Sequence, residues 1–298
     1  MDRRAHLSTE SSNPTSAELD RLSVAEAFDV FDQEEFNVAP AVSAARAEIV
    51  AAIELVVHAL ERGGRLLYVG AGTSGRLGLL DAVECPPTFQ SDPERVQARL
   101  AGGDSAFLRS LEGAEDDAEA GAQAVADGRP EDVVFGIAAG GTTPFVHGAI
   151  ARAKQLGCAS VFLACVPFES VPDAADVSIR LATGPEVLTG STRLKAGTAT
   201  KMVLNRITTI AMARLGKVHG NLMVDVNSRG NAKLTERGAR MLASIAGIDF
   251  ESAGQWLERA DGSVKMGCVM QRFDCSLEQA ETRLAAAGGF LRAALAGD

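Results

Sequence analysis

Short apolar runs alternate with longer amphipathic stretches through the first two thirds of the chain. Such runs predict buried strands, and we place five of them, at 65–69, 96–100, 133–138, 160–165 and 177–181. The helical spacing between them predicts helices that begin near Ser74, Ala106, Pro144 and Ala174. Continuous apolar strands joined by helices are typical of a parallel sheet covered on both faces, so the pattern predicts an α/β fold.

Helical patterns also flank the predicted sheet. Before it they cover 23–33 and 40–62, the second as one long helix that Gly63-Gly64 ends. After it a long helix is predicted over 196–215, followed by short helices at 232–245, 250–259, 264–273 and 276–287. We therefore expect an N-terminal arm and helix at 1–38, an α/β domain at 39–225 and a small helical subdomain at 226–298.

A glycine-rich turn, here called loop one (residues 70–78), directly follows the first predicted strand. A strand, a glycine-rich turn and a helix N-terminus together point unpaired backbone N–H groups at an anion. The loop contains the run Gly72, Thr73, Ser74, Gly75 and Arg76, which adds two hydroxyl donors and one positive charge. Loop one therefore predicts a binding site for a phosphorylated small molecule.

Loop one also matches the pattern G-x-G-x-x-G, so a Rossmann dinucleotide site is a competing interpretation. That site needs an acidic residue at the end of the next strand, about twenty residues further on. Here the next strand ends in Arg99-Leu100-Ala101-Gly102-Gly103, and Asp104 comes later than expected. The sequence favours a single phosphate, and the dinucleotide site and a purely structural turn remain as alternatives.

A second glycine-rich loop follows the third predicted strand and is here called loop two (residues 138–144). It contains Gly140, Gly141, Thr142 and Thr143, and helix capping by a threonine explains part of this composition. Two such loops on parallel strands create a crevice at the carboxyl ends of the strands, where α/β sheets bind ligands. We expect loop two to share the phosphate site with loop one.

A third segment, 188–198, combines small hydroxyl residues with positive charges just before a long helix. It supplies Ser191, Arg193 and Lys195. The helix dipole favours anions at this end, and both cations are in a position to meet a phosphate or a carboxylate. Helix capping with solvated charges is the alternative interpretation.

Two glutamates are candidates for acid–base chemistry. Glu84 stands beside Pro86-Pro87, which are expected to stop the helix, and apolar neighbours in the sequence predict a buried carboxylate there. Glu115 belongs to the acidic cluster 112–117, which is equally typical of a solvated helix face. A phosphate holder and an acid–base group within one short segment indicate chemistry on a phosphorylated small molecule.

Composition removes several classes of function. A net charge of −10 argues against nucleic acid or an anionic membrane as a partner, and the sequence contains no apolar run of membrane-spanning length. Four scattered histidines have no metal-ligand spacing, so we expect no metal. Five cysteines without C-x-x-C pairing, and no signal peptide, predict reduced thiols in a cytoplasmic protein.

Together the motifs resemble those of the N-acetylmuramic acid 6-phosphate etherase family, over nearly the whole chain. The motifs that carry the resemblance are Gly72-Thr73-Ser74-Gly75-Arg76-Leu77-Gly78, Asp81-Ala82-Val83-Glu84-Cys85-Pro86-Pro87-Thr88, Glu112-Gly113-Ala114-Glu115-Asp116, the segment 188–198 and Gly220-Asn221-Leu222-Met223-Val224-Asp225-Val226. The resemblance implies a three-layer αβα sugar isomerase (SIS) fold with a five-stranded parallel sheet, plus a C-terminal helical subdomain. It also implies a homodimer.

The resemblance further implies that N-acetylmuramic acid 6-phosphate and water give N-acetylglucosamine 6-phosphate and D-lactate, during cell-wall recycling and without a cofactor. By position, the proton donor of the family falls on Glu84 and its second active-site residue on Glu115. Relatives usually carry Ser and Arg where this chain has Gly140 and Thr142, which removes a hydroxyl and a guanidinium from loop two. A milder departure is His219, where relatives often have an aromatic residue.

Three alternatives of other classes stay open at this point. A non-catalytic SIS-type regulatory protein would bind a sugar phosphate without turnover. A dinucleotide-dependent oxidoreductase is disfavoured by the missing ribose-binding acid. An aldose–ketose isomerase on the same fold would use a carboxylate base and release no lactate.

Overall fold

The computed structural model of the protein describes residues 6–109, 111–226, 228–229 and 232–297. Its β-strands are β1 (Leu66–Gly70), β2 (Val96–Leu100), β3 (Val133–Ile137), β4 (Ala159–Ala164) and β5 (Val177–Arg180). Its α-helices up to the end of the sheet are α1 (Val24–Glu35), α2 (Val38–Ala44), α3 (Arg46–Glu61), α4 (Gly72–Phe89), α5 (Ser105–Leu108), α6 (Ala118–Ala124) and α7 (Pro144–Leu156). Those beyond it are α8 (Lys195–Arg214), α9 (Ala232–Ala246), α10 (Phe250–Arg259), α11 (Val264–Phe273), α12 (Leu277–Ala286) and α13 (Leu291–Leu295).

All five strands pair in parallel in one sheet of order β2-β1-β3-β4-β5. The predicted five-stranded parallel sheet of an α/β fold is therefore confirmed. The order reverses between β1 and β3, and ligands of open α/β sheets bind at such a switch point. Gly70 pairs with Ile137 at the ends of these two strands, so loops one and two leave the sheet side by side.

Helices cover the sheet on both faces, because each strand alternates its side chains between two apolar sides. On one side, Leu67, Val134 and Phe162 form a core cluster with Phe145 and Ala149 of α7. The alternate residues point to the other side, where α3 contacts β1, β3 and β5. The layers are thus helix, sheet and helix, as predicted.

Some predicted helices differ from the observed ones. The range 40–62 forms α2 and α3 instead of one helix, because Ala45 leaves the helical region at φ −85° and ψ 22°. No helix forms near Ala174 in the described chain, where the Asp173 carboxylate accepts a hydrogen bond from the Ala175 amide and holds a turn. Helix α13 was not predicted.

The chain divides into two compact units, and the predicted domain boundaries at 38/39 and 225/226 stay predictions. The first unit comprises Met1–Ala82 and Glu94–Thr208, and contains the whole sheet. The second comprises Val83–Pro93 and Thr209–Asp298, and its core consists of α9 to α13 with residues such as Leu242. Across the described residues, no helix combines the length and apolar character that a membrane span needs.

Candidate functional site

Loop one packs so closely on the end of β1 that its glycines are required. A Cβ on Gly75 would stand 2.6 Å from the carbonyl oxygen of Gly70 and 2.0 Å from Leu100 Cδ1. Gly72 adopts a left-handed φ of +52° as α4 begins. Thr73 and Ser74 are half-buried in the first turn of α4, and neither hydroxyl makes a hydrogen bond to another described residue. Both hydroxyls therefore remain available to a ligand.

The Arg76 side chain binds backbone carbonyls of the 105–109 segment. Its guanidinium donates hydrogen bonds to the carbonyl oxygens of Ala106 (2.7 Å), Phe107 (3.1 Å) and Arg109 (3.3 Å). The last carbonyls of a helix have no donor within the helix, and the Arg76 guanidinium supplies donors to them at the end of the short helix α5. In the structure the residue thus anchors the 105–109 segment, and its predicted part in phosphate binding stays a prediction.

Loop two has a rigid backbone and uncommitted hydroxyls. Gly141 has φ +75°, and the His147 ring nitrogen Nε2 lies 2.7 Å from its carbonyl oxygen. Thr143 occupies the N-cap position of α7 but makes no side-chain capping bond, and Pro144 begins the helix. Capping therefore does not consume the hydroxyls of Thr142 and Thr143, which lie half-buried at the carboxyl end of β3.

The segment before α8 places the Lys195 side chain in an ion pair, and its predicted part in ligand binding stays a prediction. That side chain is only 2% exposed, and Nζ forms an ion pair with Glu34 of α1. The backbone amides of Lys195 and Ala196 both donate to the carboxylate of Glu186 at 2.9 Å. A carboxylate of the protein thus already occupies the N-terminus of α8, and the Lys195 side chain is held in an ion pair within the protein. Arg193 is exposed.

Burial sets the electrostatics of this cluster. It raises the pKa of the Glu186 carboxyl, and hydrogen bonds from the Ala196 and Lys195 amides offset only part of that rise. Burial would by itself raise the pKa of Glu34, but hydrogen bonds from Lys195, Asn13 and Thr15 and the positive charge of Lys195 together outweigh it, so the pKa is lowered. Ser191, half-buried just upstream, is not part of this cluster.

A cavity of about 290 Å³ joins loop one to Glu115. Its walls include Gly72 and Arg76 on one side and Glu112 and Glu115 on the other. Glu115 lies exposed in the 3-10 helix Ala114–Asp116, which begins after Gly113 at φ +77°. The structure thus brings together a phosphate-loop candidate and a carboxylate that are about forty residues apart in the sequence.

Glu84 differs from expectation in two respects. Helix α4 does not stop at the prolines but continues through Pro86 and Pro87 to Phe89. Because proline has no N–H, the carbonyls four residues before each of them cannot receive the usual helical bond, yet the proline φ itself suits a helix. The Glu84 side chain is exposed rather than buried, and Val83 beside it is 54% exposed.

Asp81 was missed by the sequence reasoning, although an acid in an apolar helix turn is a readable signal. It is buried, and the Tyr68 hydroxyl donates to its Oδ2 at 3.0 Å. Lys201 Nζ lies 3.7 Å from Oδ1. Burial raises the pKa of Asp81, against the opposing influence of Thr208, Lys201 and Tyr68. The described residues contain no group of three or more His, Cys, Asp or Glu placed to hold a metal ion.

Comparison with known proteins gives the family. The model of the glucokinase regulatory protein N-terminal SIS domain matches residues 48–154. The chain is 52% identical to an N-acetylmuramic acid 6-phosphate etherase from Synechocystis sp., over 99% of this chain and 97% of that protein. The chain belongs to the N-acetylmuramic acid 6-phosphate etherase family. The etherase from Gloeobacter violaceus is 53% identical, with the same coverage of both chains.

The resemblance to this etherase family inferred from the sequence motifs is therefore confirmed, and the sheet-containing part is a SIS-type domain. Among solved structures, a phosphoheptose isomerase from Neisseria gonorrhoeae matches 64% of this chain and 100% of its own, with a TM-score of 0.49 and 17% identity.

Proposed function

We propose that this protein is an N-acetylmuramic acid 6-phosphate etherase that cleaves the lactyl ether of its substrate. The observation that carries the proposal is the identity of about half of all positions to proteins of that name, over nearly their whole length. Loop one, loop two and Glu115 fit the same proposal, because they combine anion-binding hydroxyls with an acid–base group. The test is release of D-lactate when the purified protein is incubated with N-acetylmuramic acid 6-phosphate.

The phosphate is proposed to bind at the carboxyl ends of β1 and β3. The hydroxyls of Thr73, Ser74, Thr142 and Thr143 and the amides at the start of α4 and α7 supply neutral donors there. Gly72 and Gly140 leave the space of a side chain open to the ligand, whereas Gly75 and Gly141 let the two loops pack closely on neighbouring parts of the protein. Ser191 and the exposed Arg193 complete this set, while Lys195 acts by holding the segment in place through Glu34.

The chemistry needs two carboxyl groups, because an ether does not hydrolyse readily but can leave by elimination. Opening of the sugar ring gives an aldehyde at C1, which acidifies the hydrogen on C2. A base removes that proton while an acid protonates the lactate oxygen that departs from C3. Water then adds to C3 of the unsaturated aldehyde, and a proton returns to C2.

We assign Glu84 as the acid that protonates the departing oxygen and Glu115 as the base. The position of Glu115 on a cavity shared with loop one supports its access to a bound sugar phosphate. This assignment makes the protein a carbon–oxygen lyase that uses neither a metal nor a redox cofactor. We place the reaction in cytoplasmic recycling of cell-wall amino sugars. The regulatory, oxidoreductase and isomerase alternatives have no observation in their favour.

We also propose that the enzyme works as a homodimer with sites near the subunit interface. Ser74 and Glu84 are ten residues apart in the sequence, and at a rise of about 1.5 Å per residue a helix that carries both would put about 15 Å between them. One hexose phosphate is too short to place its phosphate at Ser74 and its C2–C3 bond at Glu84 of the same chain. A second subunit that contributes Glu84 resolves this mismatch.

Mixing two inactive variants tests this arrangement. Glu84→Gln removes the acid and Ser74→Asp repels the phosphate, so each homodimer should be inactive. If sites are shared, random heterodimers contain one intact set of residues and should recover up to about a quarter of wild-type lactate release. Lack of recovery after verified subunit exchange would place each site within a single chain.

A further inference from the structure

A buried threonine near the N-terminus has no hydrogen-bond partner. Thr9 lies in the 3-10 helix Ser8–Glu10 and is 0% exposed, yet its Oγ1 finds no partner among the described residues. A buried hydroxyl without a hydrogen bond loses its solvation and gains nothing in return. Native proteins contain few such groups, and each calls for a physical explanation.

Contacts with loop two and with the segment before α8 fix the position of the 3-10 helix Ser8–Glu10. Leu7 is buried in the same core cluster as Ala138 of loop two. The Glu10 Oε2 atom lies 3.2 Å from the position that a Cβ on Gly190 would occupy. Further along, Ser16 Oγ donates to the Val187 carbonyl oxygen at 2.7 Å. Thr9 is therefore held between loop two and the segment before α8.

The Thr9 hydroxyl faces the side of Gly140 that bears no side chain. A Cβ built on Gly140 would have one described atom within 4 Å, Thr9 Oγ1 at 3.7 Å. Gly140 is not among the glycines with a left-handed φ, so its backbone does not require glycine.

We propose that Thr9 Oγ1 and the open side of Gly140 form a subsite for an anionic oxygen of the ligand. Thr9 donates its hydroxyl hydrogen to that oxygen, which takes the space that a side chain at position 140 would fill. The oxygen belongs to the phosphate or to the lactyl carboxylate, since both present the same acceptor chemistry. The inference rests on the proposed function and extends its binding site to the N-terminal segment.

The test compares Thr9→Val, which keeps the shape and removes the hydroxyl, with Thr9→Ser, which keeps the hydroxyl. Binding of inorganic phosphate and of D-lactate is measured separately by ligand-observed NMR, and thermal unfolding is followed without ligand. We expect Thr9→Val to weaken one of the two probes by at least about tenfold, because it loses a hydrogen bond to a charged group. The weakened probe identifies the source of the oxygen.

Two further readouts separate a binding role from a structural one. Since the hydroxyl has no partner in the free protein, Thr9→Val should unfold at the same temperature as wild type or higher, and Thr9→Ser should bind like wild type. Gly140→Ala should weaken the same probe, because its Cβ fills the space that the ligand oxygen takes. Unchanged binding of both probes in Thr9→Val, or a lower unfolding temperature, would overturn the proposal.

Failure of this inference and failure of the proposed function give different results. Anion binding is measured without turnover, so it does not depend on ether cleavage. A wild-type protein that binds the probes through Thr9 but releases no lactate from the muramate substrate would refute the etherase activity alone. If the wild type releases lactate normally and Thr9→Val binds both probes as tightly as the wild type does, the subsite alone would be refuted.

Discussion

Glu84→Gln should lower the rate of lactate release from N-acetylmuramic acid 6-phosphate by about 10²–10⁴-fold, the usual contribution of a positioned acid–base group. Glutamine keeps the size of the side chain but cannot donate a proton to the departing lactate oxygen. The Glu84 side chain is exposed, so the substitution disturbs no packing. The initial rate of lactate formation at saturating substrate measures the effect.

Glu119→Gln is the matched control for this variant. Glu119 is also exposed, in the first turn of α6, and does not line the cavity at Glu115. It should retain wild-type activity, and both variants should keep the circular dichroism spectrum and phosphate binding of the parent. Lactate release within a few-fold of wild type in Glu84→Gln would show that Glu84 is not the acid.

Lys195→Met should lower the free energy of unfolding by about 3–5 kcal/mol, because removing one partner of a buried ion pair leaves the other charge uncompensated. Both the Glu34 and Glu186 carboxyls lie close to Lys195 and would remain in the protein interior. Urea or guanidinium denaturation at neutral pH measures the loss. Lys154→Met, at an exposed lysine on α7, should change the free energy of unfolding by less than about 1 kcal/mol.

The pH dependence gives an independent check on the same ion pair. In the wild type the pKa of Glu34 is lowered in the folded state, so the stability it contributes is present above its unfolded pKa and is lost as pH falls. The difference between wild type and Lys195→Met should therefore shrink as Glu34 protonates below about pH 4. A difference that is constant with pH would contradict the pairing of Lys195 with Glu34.

The sheet was predictable because its central strands β1, β3 and β4 are buried on both sides. Leu66-Leu67-Tyr68-Val69 is an uninterrupted apolar run, and such runs bounded by turns indicate buried parallel strands whatever their partners. Loop one and Glu115 stand out as candidates in the sequence because glycine-rich turns and acidic clusters are local patterns, and their roles stay predictions. Their meeting at one cavity was not predictable, because the register of distant strands and loops decides it.

The sequence does not show contacts between distant parts of the chain. In the sequence Lys195 is simply a cation close to Arg193. Its ion pair with Glu34, 161 residues earlier, is visible only in the folded chain. The polar N-terminal arm likewise looks solvated, but Ser16 bonds to Val187, 171 residues later. The prolines after Glu84 mislead for another reason: they weaken a helix without always ending it.

The positions at which oxygen and hydrogen from water enter the products test the elimination and hydration steps most directly. The protein is incubated with N-acetylmuramic acid 6-phosphate in water labelled with ¹⁸O, and in a parallel reaction in D₂O. Elimination followed by hydration predicts equal amounts of D-lactate and N-acetylglucosamine 6-phosphate, with ¹⁸O on C3 of the sugar, deuterium on C2 and no ¹⁸O in the lactate. Label in the lactate hydroxyl, or an isomerised sugar without lactate, would contradict it.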